Sequence, residues 1–373
     1  MTDGMDKELL KRIQAPLMNW FEEYARVLPW REHPLPYYVW VSEIMLQQTR
    51  VEAVKPYFAR FTRELPDIRA LAECPEDRLM KLWEGLGYYS RARNLQKAAR
   101  VVMETYNGRL PDTYEELIRL PGIGSYTAGA IASIAYGQAV PAVDGNVLRV
   151  LSRVTENGED ISKQSTKKSA EDALRAVMPS DCPGTFNQAL MELGALICVP
   201  NGSPLCGDCP LRSLCRAARS GRQTEFPVKA PKKPRRIEER TVFVIRDGSH
   251  AALRRRPAHG LLAGLYELPN EKGSLSMEEA LAWVADLGFS PIRIRPLPEA
   301  RHIFSHVEWH MAGYFVLVED CGKQAASSEP ESFEPENSDI ENSLIFIEPD
   351  VIRRDYPIPA AFDAYQKFIL PEG

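Results

Sequence analysis

The stretch LIRLPGIGSYTAGAIASIAYGQAVPAVDGN, residues 117–146, carries the most informative pattern in this chain. An amphipathic run stops at Leu120, a Pro-Gly-Ile-Gly segment at 121–124 turns the chain, and Ser125 is a suitable N-cap for an alanine-rich helix over 127–136. Glycine lets the backbone come close to a ligand, and the start of the following helix offers unpaired N–H groups and the positive end of a dipole. The pattern therefore predicts a helix pair whose turn binds a phosphate.

Asp144 lies further along the same stretch, in the polar turn that precedes a helix predicted over 147–154. A carboxylate at a helix start is favoured as the anion by the helix dipole. The simpler alternative is that the Pro-Gly segment is only a loop between packed helices and that Asp144 only caps its helix. Taken without the rest of the chain, these residues leave both interpretations open.

Glu43 lies in PYYVWVSEIMLQQTR, residues 36–50, which reads as a largely buried helix with a polar end. Its neighbours include Trp40 and Ile44, and burial among apolar groups raises the pKa of a carboxyl, as a general acid requires. The alternative is a buried ion pair of Glu43 with Arg50 or with a more distant arginine.

Four of the seven cysteines fall close together, at Cys198, Cys206, Cys209 and Cys215, with the spacing C-x7-C-x2-C-x5-C. In a cytosolic chain such a group indicates a metal or a cluster cofactor rather than disulfides. Four thiolates on one short loop suit a 4Fe–4S cluster. Zinc sites more often pair two C-x2-C units, and only one is present here, so zinc is the minor alternative.

Composition limits the remaining choices. The 373 residues are enough for two domains, and the 44% hydrophobic fraction is ample for packed cores. No run reaches the roughly 18–20 apolar residues of a membrane span, and the polar, acidic start of the chain predicts a cytoplasmic protein without a signal or transit peptide. The net charge of −5 argues mildly against nucleic acid, but basic residues cluster at Arg91-Ala92-Arg93 and over 229–240.

The pattern along the chain changes once. Up to residue 220 it predicts an all-α domain, with helices at the positions given at the end of this paragraph. Residues 221–240 are charged and proline-bearing and predict a linker. Residues 241–373 predict a second, α+β domain, because β-rich runs at 241–245, 250–255 and 313–318 accompany helical patterns at 276–287 and 360–368. The helices predicted in the first domain span 6–26, 36–50, 51–64, 67–72, 76–83, 91–106, 127–136, 147–154, 166–178 and 184–197.

A glycine-flexed aromatic loop, GLGYYS at 85–90, precedes the basic helix at 91–106. Aromatic side chains beside arginines can wedge between stacked bases while the cations hold phosphates. The alternative is a tyrosine pair that caps a core.

Taken together, LPWR (28–31), SEIMLQQTRV (42–51), GLGYYSRARNL (85–95) and LPGIGSYTAGAI with AVDGNVLRV resemble the adenine DNA glycosylase (MutY) family of the helix-hairpin-helix/Gly-Pro-Asp superfamily. The resemblance covers essentially the whole chain. It implies a helical glycosylase domain with an iron–sulfur loop, and a Nudix-like second domain. The family's loop is usually C-x6-C-x2-C-x5-C, so this chain has one extra residue in the first gap.

The resemblance also implies roles for particular residues. Glu43 would be the general acid and Asp144, as the anion, the group that stabilises an oxocarbenium ion or bonds to C1′, with Tyr126 and Asn146 positioning it. Bifunctional relatives carry a lysine nucleophile where this chain has Tyr126, so a monofunctional enzyme is expected. Substrate-binding roles would fall to Trp30, Arg31, Leu46 and Gln188 around the extruded adenine, to Gln48, Thr49, Leu86 and Tyr88 at the opposite base, and to Gly122 and Gly124, with or without a bound cation, at a phosphate.

The second domain contains GLLAGLYELP (260–269), which resembles a Nudix strand, but no acidic Nudix box follows. Without clustered carboxylates it has no magnesium pyrophosphatase site. Phe304-Ser305-His306 resembles the loop with which adenine DNA glycosylases read 8-oxoguanine. The expected partner is duplex DNA with an 8-oxoguanine:adenine (or guanine:adenine) mispair, the expected cofactor is a 4Fe–4S cluster, and the protein is expected to be a monomer.

Three rival functions remain from other classes. One is a bifunctional or thymine/uracil-directed glycosylase, against which Tyr126 and the second domain argue. Another is a non-catalytic DNA-binding module with a structural cysteine site, in which Glu43 and Asp144 are incidental. The third is a Nudix hydrolase with a helical appendage, which the missing acidic helix disfavours.

Overall fold

The computed structural model describes residues 6–231, 234–319 and 343–369. The chain forms two compact units, the first from Met1–Cys74 and Ser90–Lys232, the second from Pro75–Tyr89 and Lys233–Gly373. In the sequence the aromatic loop at 85–90 belongs to the helical part, whereas the structure places most of it with the second unit. Cys321, to which the sequence assigns no role, lies outside the described residues.

The part of the chain before residue 220 is helical, as expected. None of the described helices is long and apolar enough to cross a membrane. Helices α1 to α14 span, in order, Lys7–Arg12, Gln14–Tyr24, Pro29–Glu32, Pro36–Leu46, Val51–Glu64, Ile68–Glu73, Glu76–Trp83, Ser90–Thr105, Tyr114–Leu117, Ser125–Tyr136, Gly145–Thr155, Gln164–Arg175, Pro183–Leu196 and Arg216–Arg219.

Two helices differ from the sequence expectation. The single helix expected over 6–26 is divided into two helices, α1 and α2, at Ile13. Ile13 itself keeps a helical backbone conformation, so α2 starts directly after it. The helix expected over 36–50 ends at Leu46, and the polar end at 47–50 is a turn that leads into α5. The residues of this turn therefore lack the regular spacing that the helix would have given them.

One hydrophobic cluster of the first unit is formed by the apolar faces of α1, α2, α11, α12 and α13, and further buried apolar residues lie on α4, α5, α6, α8 and α10. Helix α10 approaches its neighbours closely because it is rich in small residues. A Cβ on Gly129 would lie 2.2 Å from the carbonyl oxygen of Pro141, so only glycine fits there. The close packing fixes the segment that runs from α10 to Asp144 at the start of α11.

The second unit is α+β, as expected, and its described strands form one seven-stranded sheet. The strand order is β3-β2-β1-β6-β5, with β4 on β1 and β7 on β2; β1 and β6 are parallel and the other pairs antiparallel. Strands β1 to β7 span Arg236–Arg246, Ala251–Arg255, Tyr266–Glu267, Asn270–Lys272, Pro291–Ile303, Val307–Val318 and Leu344–Ile347.

Helices α15 (Met277–Asp286), α16 (Pro349–Asp355) and α17 (Asp363–Gln366) complete the second unit. The strands contribute to two apolar clusters. Trp309 packs with Phe362 and Tyr365 in one cluster, and Phe243 packs with Ala280 and Val284 of α15 in the other. Alternate residues along a strand point to opposite faces, which is why one strand serves both clusters.

Candidate active site

Glu43 lies in the middle of α4, and its side chain is 6% exposed. The ion pair with Arg50 considered from the sequence is not formed. Instead, the hydroxyl of Tyr126 donates a 2.5 Å hydrogen bond to Oε2. Burial raises the pKa of Glu43 from 4.5 to about 7, and the Asp144 charge adds to it; the Tyr126 hydrogen bond and the Arg31 charge oppose the rise. A carboxyl with this pKa can hold a proton at neutral pH and release it.

Arg91, from α8, fixes the end of the helix that carries Glu43. Its Nη1 donates to the carbonyl oxygens of Ile44, Met45 and Gln47 at 2.8, 2.9 and 2.7 Å. The last carbonyls of a helix lack partners within it, and a cation there also suits the helix dipole. The sequence suggested phosphate binding for the arginines of α8; for Arg91, which is buried, the structure shows a capping role.

Asp144 is the N-cap of α11 and accepts hydrogen bonds from Val147 N–H and from Asn146 Nδ2, both at 2.8 Å. The alternative drawn from the sequence, that Asp144 caps its helix, is therefore confirmed for the capping itself. The sequence led us to expect surroundings that favour the anion, but burial dominates and raises the pKa of Asp144. The two hydrogen bonds and the Arg149 charge oppose that rise, and each carboxyl oxygen acts as an acceptor, as a carboxylate does.

Asn146 is held in turn by Arg149, whose Nη2 donates to Asn146 Oδ1 at 2.8 Å. The same guanidinium donates to the carbonyl oxygens of Gly194 and Cys198, each at 2.8 Å. The amide of Asn146 thus has its oxygen occupied and its NH₂ directed at Asp144, which fixes the orientation of both side chains.

Glu43 and Asp144 line one cavity of about 590 Å³ in the first unit. Its size and mixed lining are typical of a site for a small ligand. Other residues singled out from the sequence also line it: Trp30, Arg31, Leu46, Gln48, Thr49, Gly124, Tyr126, Asn146 and Gln188. Sequence reasoning missed Arg26, Lys167 and Glu192, which line it too, because isolated charged residues carry no motif.

The glycine turn contains one position where only glycine fits. Gly122 has φ +75°, and a Cβ there would lie 2.6 Å from the Cβ of Asn94. Gly124, not Ser125, is the N-cap of α10, so the predicted cap is wrong. The Ser125 hydroxyl instead donates to Glu171 at 2.9 Å and accepts from Lys167 at 3.0 Å, which leaves the backbone N–H groups of the turn without a side-chain cap.

Phe304, Ser305 and His306 form the tight connection between β5 and β6, closed by a 2.8 Å bond from Phe304 N–H to the carbonyl of Val307. The Phe304 ring packs edge-on against Trp309, while Ser305 and His306 are exposed. Within the same unit, the hydroxyls of Tyr88 and Ser305 lie 3.0 Å apart.

Two of the residues expected at the opposite base have unusual backbone conformations. Gln48 and Tyr88 have φ of +57° and +49°, which costs a non-glycine residue on the order of 1 kcal/mol or more. Tyr88 is 47% exposed, whereas Leu86 is buried. Asn107, Glu156 and Leu262 have the same left-handed conformation, so the contact role of Gln48 and Tyr88 stays a prediction.

The four clustered cysteines, Cys198, Cys206, Cys209 and Cys215, line one small cavity together with apolar side chains of α11 and α13. Arg153 donates to Cys198 Sγ at 3.2 Å. Among the described residues, no group of three or more His, Cys, Asp and Glu side chains is placed to hold a single metal ion. Of the isolated cysteines, Cys74 is buried and Cys182 half-buried.

Comparison with known proteins shows which class of protein contains this helical domain and this second domain. Residues 41–176 match the family model of the HhH-GPD superfamily of base excision DNA repair proteins, and residues 241–367 match that of the NUDIX domain. A solved thermostable thymine-DNA glycosylase is 28% identical over 58% of this chain and 100% of its own, with a TM-score of 0.52. The chain is therefore a DNA N-glycosylase of the helix-hairpin-helix class with a Nudix-like second domain, as the sequence predicted.

Curated relatives define the family more closely. Adenine DNA glycosylase of Rattus norvegicus is 37% identical over 84% of this chain and 71% of its own length. The protein of that name from Buchnera aphidicola subsp. Baizongia pistaciae is 33% identical over 81% and 85%. The chain belongs to the adenine DNA glycosylase family.

Proposed function

We propose that this protein is a monofunctional adenine DNA glycosylase that flips adenine out of a mispair with 8-oxoguanine, or with guanine, and excises it from duplex DNA. The observation that carries the proposal is the buried carboxyl of Glu43, with a pKa of about 7, in one cavity with the hydrogen-bonded carboxylate of Asp144. Two carboxyl groups in different protonation states are what cleavage of a glycosidic bond by acid catalysis needs.

In the proposed mechanism Glu43 protonates N7 of the extruded adenine, which makes the base a better leaving group. As the bond to the sugar breaks, positive charge develops at C1′, and Asp144 stabilises it or bonds to C1′ as in retaining glycosidases. Glu43 then returns as a base and activates water. Tyr126 holds Glu43 through its 2.5 Å hydrogen bond, and Asn146 holds Asp144 at 2.8 Å.

Flipping the base costs a few kcal/mol, which contacts to the DNA must supply. Trp30, Arg31, Leu46 and Gln188 would surround the adenine, since all of them line the cavity. Gln48 and Thr49, with Leu86 and Tyr88, would fill the gap and hold the opposite base. The backbone at Gly122 and Gly124, with or without a cation held by carbonyl groups, would bind a phosphate.

The second domain would read the opposite base through Phe304, Ser305 and His306. Ser305 can donate or accept a hydrogen bond at the N7–H and O8 edge of 8-oxoguanine, which guanine lacks. Support comes from the exposure of Ser305 at a strand connection and its 3.0 Å contact with the Tyr88 hydroxyl. The matching NUDIX domain would serve recognition, because no acidic box follows residues 260–269.

Cys198, Cys206, Cys209 and Cys215 would hold a 4Fe–4S cluster. The residues fit this group, because four thiols line one small cavity and Arg153 donates to Cys198 Sγ, as N–H groups do to cluster sulfurs. When bound, the cluster would cross-link the loop over 198–215. Arg149 and Arg153 would then hold that loop against α11 through their bonds to Cys198.

Other parts of the proposal concern the whole chain. Tyr126 offers no amine for a Schiff base, which supports a monofunctional enzyme. We propose domains at 1–220 and 241–373 joined by 221–240, although strand β1 already begins at Arg236. The protein would act on the chromosome as a cytoplasmic monomer.

The deciding experiment is single-turnover excision on a duplex with adenine opposite 8-oxoguanine. We expect adenine release by the wild type, none by Glu43→Gln, and strand breaks only after alkali. Release of thymine or uracil instead, or strand cleavage without alkali, would favour the rival glycosylases. Binding without any base release would favour the non-catalytic module.

A further inference from the structure

Glu192, on α13, is a buried carboxylate beside the candidate active site. Its side chain is 1% exposed and lines the same cavity as Glu43. Arg26 donates to it from Nε at 2.7 Å, from Nη2 at 2.9 Å and from its backbone N–H at 3.1 Å. Arg31 Nη2 adds a fourth bond at 2.9 Å. Burial by itself would raise the pKa of Glu192, but the bonds from Arg26 and Arg31 outweigh burial and lower the pKa to about 2, so Glu192 is an anion at any working pH.

Arg31 links this anion to the candidate acid. Its guanidinium also lies 5.2 Å from the centre of the Phe21 ring, and its charge lowers the pKa of Glu43. In the described part of the chain no hydrogen bond joins Arg31 to Glu43. Arg31 donates instead from Nη2 to Glu192 at 2.9 Å and from Nη1 to the carbonyl oxygen of Arg26 at 3.2 Å. Two arginines thus share one carboxylate at the wall of the cavity.

The charged and titratable groups around Glu43 come from several elements. Tyr126 of α10, Asp144 before α11 and Arg31 of α3 act on it directly. Arg26 and Lys167 of α12 line the cavity as further cations. If Glu192 were neutral, the charge of Arg31, which already acts on Glu43, would no longer be balanced by a carboxylate bonded to it. An arginine paired to a carboxyl lowers the pKa of that carboxyl by roughly 1–3 units.

We infer that Glu192 is a positioning residue for base excision: by holding the guanidinium groups of Arg26 and Arg31, it keeps Arg31 from pairing with Glu43. This inference rests on the proposed function, because it assigns Glu192 the task of keeping the general acid able to donate its proton. Glu192 does not itself contact the base in this role; it acts through Arg31.

The test is the pH dependence of single-turnover adenine excision by Glu192→Gln. Glutamine has the same shape but no charge, so we expect the pH above which the rate falls to move down by about one unit or more. At pH 8 the rate should fall about tenfold further than at pH 5.5. A merely structural role would lower the rate by the same factor at every pH, and that result would overturn the inference.

Glu267→Gln is a matched control. Glu267 is also 1% exposed and also accepts from two arginines, Arg254 and Arg256, but in the second unit. Its substitution removes the same kind of buried ion pair, so its pH profile should keep the wild-type midpoint. An equal shift in this variant would show that the effect is not specific to Glu192.

The double variant Glu192→Gln/Arg31→Met removes the arginine as well as its anchor. We expect its midpoint to return toward the wild-type value, although its rate stays low because Arg31 lines the pocket. A midpoint that remains shifted would exclude Arg31 as the cause. If Glu192→Gln does not fold, the double variant Glu192→Gln/Arg26→Met replaces it. That variant leaves one fewer buried cation without its carboxylate, and its pH midpoint is compared with that of the wild type in the same way.

A second readout keeps the inference separate from the proposed function. Infrared difference spectra between each protein and its Glu43→Gln counterpart report the protonation of Glu43 without any base release. If the wild type fails to excise adenine, the proposed function fails, yet a downward shift of the carboxyl titration in Glu192→Gln would still support the arginine-holding role. An unchanged carboxyl titration would refute it.

Discussion

Glu43→Gln tests the proposed acid through two independent measurements. The amide keeps the shape of the side chain and can still accept the 2.5 Å hydrogen bond from Tyr126, but it has no acidic proton to give to the base. A positioned general acid contributes about 10²- to 10⁴-fold. We therefore expect excision to fall by at least that factor while binding of the mispaired duplex is kept.

The stability of the same variant follows from the pKa. Because burial raises the pKa of Glu43 from 4.5 to about 7, the folded protein binds this proton more tightly than the unfolded chain. The stability contributed by the protonated group is complete below about pH 4.5 and is lost as the pH rises through about 7. At about 1.4 kcal/mol per pH unit, the ionisation of buried Glu43 costs about 3 kcal/mol at pH 8.

Glutamine does not ionise, so the gain in unfolding free energy of Glu43→Gln over wild type should grow by about 2 kcal/mol between pH 5.5 and 8. Urea unfolding at both pH values, followed by circular dichroism, measures it. Glu104→Gln, at an exposed position on α8, is the control and should show no such growth. A gain that is equal at the two pH values, or a fall in the excision rate of Glu43→Gln smaller than about 10²-fold, would refute the reasoning.

Three further predictions concern the other parts of the site. Tyr126→Phe removes the hydrogen bond that lowers the pKa of Glu43, so the fall in excision rate should move to higher pH; a move to lower pH would contradict this. The double variant Ser305→Ala/His306→Ala should reduce the ratio of the excision rate opposite 8-oxoguanine to that opposite guanine by about tenfold. This is the effect of one lost specific hydrogen bond. An unchanged ratio would exclude the loop from recognition of the opposite base. Cys209→Ser should abolish the visible absorbance of an iron–sulfur cluster and lower the melting temperature, whereas a colourless wild type with bound zinc would reverse the cofactor assignment.

Sequence reasoning predicted the helix pair, the paired carboxyl groups and the strand-rich second domain because each has a local signature. A glycine turn, a charged residue inside an apolar helix and alternating strands can all be read within about ten residues. The N-cap of α10 was misassigned to Ser125, because its hydroxyl bonds to Glu171 on a distant helix. A local rule cannot anticipate that competing partner.

Long-range features could not be predicted for the same reason. Strand β5 was missed, since the prolines at 291, 296 and 298 mask its alternation; it tolerates them as the edge strand of the sheet. Glu192 and Arg26 were missed because they are 166 positions apart and meet only in the fold. The raised pKa of Asp144 was missed because helix position alone does not give the depth of burial.

The cap that Arg91 provides has a consequence for how variants of this protein should be assayed. One side chain from α8 ends the helix that bears Glu43 and also touches the Thr49 hydroxyl at 3.3 Å, so two separate parts of the cavity wall depend on it. Loss of this guanidinium would take a buried donor from three carbonyl oxygens at the end of α4, so the backbone beside Glu43 would be held less firmly. Variants of Arg91 should therefore be assayed for the rate of base release and for stability as well as for DNA affinity, because its contacts are to the wall of the cavity that contains Glu43.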